Sequence, residues 1–104
     1  MIARTWRGAT ATRDADAYVA YLEATGLRQY RATPGNRGAY LLRRGAGDRT
    51  EFLTLSLWAD LDAIRGFAGD HIDAAVFYPD DDRYLTARDR MAYHYDVVSP
   101  AAGR

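Results

Sequence analysis

The segment Thr50–Trp58 constrains this chain most, because it is apolar on both sides. In an extended backbone Leu53, Leu55 and Leu57 fall on one face, and Phe52, Thr54, Ser56 and Trp58 fall on the other. A strand of this kind cannot lie on a sheet with one wet face. Each side needs a cover, and the rest of the sequence says where the covers come from.

Ile2–Gly8 alternates in the same way, with Ile2, Arg4 and Trp6 opposed to Ala3, Thr5 and Arg7, and predicts a first strand. Thr10–Arg13 reads as a polar connection. Asp14–Thr25 predicts a helix: Asp14 and Asp16 suit the positive end of its dipole, and Tyr18, Tyr21, Leu22 and Thr25 share one face. Gly26 is its expected stop, with Leu27–Arg31 as an added turn. The run Thr33–Gly38 signals a turn and Ala39–Arg44 a strand. Gly45 and Gly47 permit a hairpin into Thr50–Trp58. Asp60 is placed to cap a second helix, Leu61–Ala68, with Leu61, Ile64, Phe67 and Ala68 on its apolar face and Gly69 as its end. Asp70–Val76 reads as further helix and Asp80–Asp82 as an acidic surface turn. Met91–Val98 is the last strand.

Strand, helix, strand, strand, helix, strand is the α+β ferredoxin-like βαββαβ order, with an antiparallel sheet and both helices on one face. Residues 1–98 are expected to be a single domain and residues 99–104 a disordered tail. The second sheet face would expose an apolar patch too large for an ordinary monomer. A homodimer closed sheet against sheet is therefore expected.

Composition narrows the function. Fourteen Arg balance fourteen acidic residues, Lys is absent and the formal charge is zero, which offers no footprint for nucleic acid or a membrane surface. Without Cys there is no thiolate nucleophile, disulfide or Cys-ligated metal. No apolar run approaches the roughly 20 residues of a membrane helix, and Met1–Arg4 leads into polar sequence rather than a signal core. The expectation is a cytoplasmic protein. The glycines of Thr33–Gly38 follow a helix and precede a strand, the wrong order for a phosphate loop, and no Gly-x-Ser-x-Gly occurs. His71 and His94 alone do not make a metal site, and Asp80–Asp82 lacks calcium-loop spacing.

Several stretches carry a family likeness: Ile2–Trp6, Pro34–Ala39, Glu51–Trp58, Ile64–Gly69 and His94–Val97. Through them the chain, from Met1 to about Val98, resembles antibiotic-biosynthesis-monooxygenase-like (ABM) proteins of the dimeric α/β-barrel superfamily. The resemblance implies a pocket between sheet and helices in each protomer of a homodimer. Oxygenase members oxidise electron-rich aromatic polyketides without metal or flavin, using an Asn and a Trp on the third strand. Trp58 matches that Trp, whereas Thr54 stands at about the Asn position. The haem-degrading branch uses an Asn, a Trp and a haem-ligating His. Arg7 or Trp6, Phe67 and Phe77 stand at those places.

The residues then suggest roles. His94, with Asp96 two positions on along the same face, could act as a base toward a phenol or carbon acid; a structural histidine bonded across the sheet is the plainer alternative. Arg4 could hold a substrate anion beside Trp6, or simply pair with Glu51 or Asp96. Trp6, Trp58, Tyr18, Tyr21, Phe67, His71 and Tyr78 are the candidate pocket residues, and aromatic core is the competing account for most of them. The expected activity is that of a cofactor-independent monooxygenase acting with O₂ on a small aromatic or polyketide-like molecule. The alternatives are a non-catalytic homodimeric binder of a small aromatic metabolite, and an isomerase or cyclase using the same pocket. Neither cofactor nor metal is called for.

Overall fold

The structure is a computed structural model, described here for residues 1–99. Strand β1 (Ile2–Ala11) leads through a single 3₁₀ turn into helix α1 (Ala15–Ala24), followed by α2 (Gly26–Ala32). Strands β2 (Asn36–Ala46) and β3 (Arg49–Trp58) form a hairpin, and α3 (Leu61–Ala68) follows. After an irregular strap, residues 70–80, come a one-turn helix α4 (Asp81–Tyr84) and two short strands, β4 (Leu85–Arg88) and β5 (Tyr93–Asp96).

The sheet is antiparallel, in the order β2-β3-β1-β4, with β5 sharing the outer lane beside β1. β1 and β3 pair along their full lengths, from Ile2↔Trp58 to Ala11↔Arg49. β4 pairs with Gly8–Thr10 and β5 with Ile2–Thr5, so the last lane is broken in the middle. Asp89 N–H still donates to Arg7 O at 2.9 Å, but residues 90–92 leave the lane because their backbone bonds go elsewhere: Ala92 N–H donates to Asp73 O at 2.8 Å, and Arg90 O accepts from Ala75 N–H at 2.9 Å. The strap and this excursion lace together, with Ala74 bridged to Met91.

The expected order of elements is present, with local corrections. The first helix ends at Ala24, close to the expected bound, but Gly26 is not a left-handed stop. Thr25 leaves helical geometry (φ −117°, ψ −88°), and Gly26 starts a second helix that buries Tyr30. Gly26 is itself buried, with the Tyr78 ring 3.7 Å from where its Cβ would stand. Residues 70–76 form no helix. Met91–Val98 is not one strand, and Leu85–Arg88 adds a strand that its four unpatterned residues do not announce. Asp80–Asp82 is not wholly a surface turn, since Asp81 is buried. Asp60 caps α3 as expected, accepting from Ala63 N–H at 2.9 Å. Gly47 turns the β2–β3 hairpin at φ 72°, a value L-residues rarely adopt. Apart from Ser99, the expected tail lies outside the described residues.

The helix face of the sheet carries two aromatic clusters. One joins Tyr18 and Leu22 of α1 to Phe52 of β3; the other joins Tyr30, Trp58 and Ile64. The opposite face holds Leu53, Leu55 and Leu57 in one row, with Tyr40, Leu42, Tyr93 and Tyr95 exposed around them. Among the described residues no helix is long and apolar enough to cross a membrane.

Candidate functional site

Between the helix face of the sheet and the strap lies a narrow cavity of about 30 Å³. That is room for little more than a water molecule. Its walls include Arg4 and Trp6 from β1, Thr54 from β3, Tyr18 and Leu22 from α1, Tyr30 from α2, Phe67 from α3, and Tyr78 and Asp81 from the strap and α4.

Arg4 is 3% exposed, and no carboxylate lies within ion-pair reach of it among the described residues. Glu51 pairs instead with Arg44 at 3.0 Å. Arg4 donates to the carbonyls of Ile72 and, at 3.0 Å, Ala74, which ties the strap to the sheet. Its guanidinium also lies 5.7 Å from the Phe67 ring centre and 2.9 Å from His94 Nε2. A guanidinium has donors only, so His94 Nε2 must be the acceptor and its proton must sit on Nδ1. That nitrogen faces Asp73 Oδ1 at 3.4 Å. The order Arg4, His94, Asp73 therefore sets the tautomer, and the group orienting His94 is Asp73, not Asp96. Burial and the adjacent Arg4 charge hold the His94 pKa down, against the pull of Asp73. Burial lowers the Arg4 pKa too, though a guanidinium stays charged.

Trp6 lines the cavity and donates Nε1–H to Asp89 O at 2.7 Å, with Phe77 edge-on at 6.2 Å. Tyr18 sits edge-on to Phe52 at 5.0 Å. At the α4 end, Asp81 Oδ2 accepts from Tyr78 N–H at 2.6 Å. Asp81 is 3% exposed, and burial pushes its pKa up.

Of the residues singled out from sequence, Arg4, Trp6, Tyr18, Phe67 and Tyr78 meet at this cavity. The others do not line it. Trp58 is fully buried among Tyr30 and Phe67, with its indole N–H on Ser56 Oγ at 2.9 Å. The Tyr21 hydroxyl points to the α4 turn, accepting from Asp80 N–H at 2.9 Å. His71 is exposed. His94 stands behind Arg4. Asp81 and Asp73 were missed. The only signal for Asp81 was its place three residues after Tyr78, where a side chain can cap a turn. A larger concavity of about 490 Å³ lies at the far end of the sheet. Three of the arginines along it, Arg43, Arg44 and Arg88, are already paired with Asp16, Glu51 and Asp82.

The antiparallel ferredoxin-like sheet with helices on one face is the fold seen in ABM-like proteins. Solved structures show the same fold. A candidate antibiotic biosynthesis monooxygenase from Bacillus cereus superposes with TM-score 0.66 at 15% identity, covering 98% of this chain and 97% of that one. The haem degrader MhuD from Mycobacterium tuberculosis, solved with two haems bound, gives 0.61 at 16%, covering 98% and 100%. A protein of unknown function from Nitrosomonas europaea gives 0.60 at 15%, covering 99% and 94%. No protein-family model and no curated protein sequence matches the chain. At these identities the likeness is one of fold. The residues here do not fit a haem: His94 Nε2 is engaged by Arg4, and His71 lies off the cavity.

Proposed function

We propose that this chain is a homodimeric, cofactor-independent monooxygenase that oxidises a small aromatic or polyketide-like molecule with O₂. The observation that carries the reading is the buried Arg4 guanidinium, which has no carboxylate within ion-pair reach among the described residues and opens onto a cavity walled by Trp6, Phe67 and Tyr18. Such a cation stabilises an anion far better than the same charge would in water. A phenol that loses its proton there gives a phenolate beside Arg4. The phenolate passes one electron to O₂, the radical pair recombines through a C–O bond, and water departs from the resulting hydroperoxide. In sum one aromatic C–H and one O–H are replaced by two quinone carbonyls, and O₂ supplies one quinone oxygen and one water oxygen. His94 and the strap carbonyls act here as positioning groups that aim Arg4. The strap must move for any substrate to enter.

The homodimer reading is supported by the apolar sheet face around Leu55, which a second copy would cover. Thr54, on the cavity wall near the place where the family's oxygenases carry Asn, favours the second reading, a non-catalytic binder of the same ligands. An oxygen-electrode assay with a panel of polycyclic phenols tests the choice. O₂ uptake that falls at least tenfold in Arg4→Met supports the oxygenase. Product formed equally under argon points to isomerase or cyclase chemistry, and binding without turnover to the binder.

A further inference from the structure

Three buried polar atoms have no hydrogen-bond partner among the described residues: the hydroxyls of Tyr18 and Tyr78, and Asp81 Oδ1. All three residues line the one cavity under the strap. Tyr18 is fully buried and Asp81 is 3% exposed. Orphaned buried polar atoms are uncommon and each weakens the fold, so three around one small cavity call for a partner that the chain itself does not provide.

The chemistry of the three is complementary. Asp81 Oδ2 is fixed by the Tyr78 amide, so the carboxyl cannot rotate freely and Oδ1 is the oxygen left over. Burial raises the Asp81 pKa; the Tyr78 N–H and Arg88 oppose that, while Asp82 and Asp80 add to it. Burial also raises both phenols, Tyr78 to about 12, so they remain protonated and can donate. The carboxyl is the one member of the trio with a lone pair basic enough to accept a proton, and burial raises its basicity.

We propose that Asp81 is the proton acceptor of this pocket, and that the hydroxyls of Tyr18 and Tyr78 hold the oxygen it deprotonates. The ligand class is then a phenol or enol. A carboxylic acid is already ionised at neutral pH and needs no base, and a bare hydrocarbon would leave all three atoms unpartnered. In the step, the ligand O–H bond breaks and an O–H bond forms on Asp81 Oδ1. The negative charge passes from the carboxylate to the ligand oxygen, which shares the cavity with Arg4. Asp81 thereby supplies the base that the oxygenase reading requires, and the inference rests on that reading of the cavity.

The test uses 4-nitrophenol at a pH where the free dye is ionised. Absorbance reports whether the bound dye is phenolate, and calorimetry in buffers of different ionisation enthalpy counts the protons taken up. The wild-type protein should bind the phenolate with uptake of one proton, which then resides on the protein. Asp81→Asn keeps an oxygen for the Tyr78 amide and should bind the phenolate with no uptake. Tyr18→Phe should raise Tm, because it deletes an orphaned hydroxyl, and should weaken binding five- to tenfold with proton uptake unchanged. Equal proton uptake by wild type and Asp81→Asn overturns the assignment while the phenol site stands. Wild-type affinity in Tyr18→Phe overturns the hydroxyl cradle and leaves the cavity to an internal water. Failure of the wild type to bind any dye overturns the phenol-site reading and the inference with it.

Discussion

Replacing Arg4 by Met keeps the apolar stem and removes the guanidinium. Three acceptors then lose their donor: Ile72 O, Ala74 O and His94 Nε2. Leaving a buried acceptor unmade costs about 1–3 kcal/mol, so the gross loss is several kcal/mol. Against it stands the relief of no longer burying a charge, also several kcal/mol. His94 regains some freedom too, since its tautomer is no longer dictated. The two terms oppose each other and the three acceptors are only part-buried, so the net expectation is a loss of about 1–2 kcal/mol, or a fall in Tm of roughly 5–10 °C for a domain of this size. Urea unfolding at fixed protein concentration measures it, because association would otherwise move the midpoint. Hydrogen exchange adds the local signature. The amides of Ala75 and Ala92, which lace the strap to residues 90 and 73, should exchange faster than the global loss accounts for. Stability within about 0.5 kcal/mol of wild type, with exchange at those amides unchanged, would refute the idea that Arg4 is the strap's main tether.

Two further outcomes follow from the same geometry. Because burial and Arg4 hold the His94 pKa below its unfolded value near 6.5, the stability it contributes is complete above that pH and is lost as the pH falls below it; wild type should weaken toward pH 5 with a slope of at most about 1.4 kcal/mol per pH unit from this group, and His94→Gln should flatten that limb in urea titrations, whereas parallel curves would refute the lowered His94 pKa. Leu55→Asp, a charge in the middle of the open sheet face, should shift sedimentation from dimer to monomer, and a wild-type protein that is already monomeric at micromolar concentration would remove the dimer reading.

The sheet was readable because its patterns are local. Alternation from Ile2 onward and from Thr50 to Trp58 showed which side chains share a face, and the register sets those faces together, Ile2 opposite Trp58 and Arg4 opposite Ser56. The Asp60 cap was readable for the same reason, since its partner is three residues away. The break before Gly26 was readable too, and the extra turn beyond it is longer than its pattern indicated, running from Gly26 to Ala32 with Tyr30 buried and Tyr78 against Gly26. His94 was given the wrong neighbour, though bonding across the sheet, here to Arg4, was the plainer alternative. The strand geometry that suggests Asp96 says nothing of Asp73, which arrives from 21 positions back along the chain.

The strap shows why the site was harder to read than the fold. Ile72 O and Ala74 O are satisfied by a side chain 68 and 70 positions away, and Asp80 N–H by one 59 positions away. Backbone groups satisfied at such range need no repeating pattern, and hydropathy periodicity records only repeating patterns. The residues that close the cavity are therefore the ones periodicity cannot show. The same arrangement allows a carboxyl such as Asp81 to be buried there, since its neighbours are set by the packing of α1 and the strap against the sheet rather than by sequence proximity alone. Chemistry and irregular backbone coincide in this chain for one reason: a segment held by a few long-range bonds can both enclose a ligand and let go of it, which a segment locked into a helix or ladder cannot do.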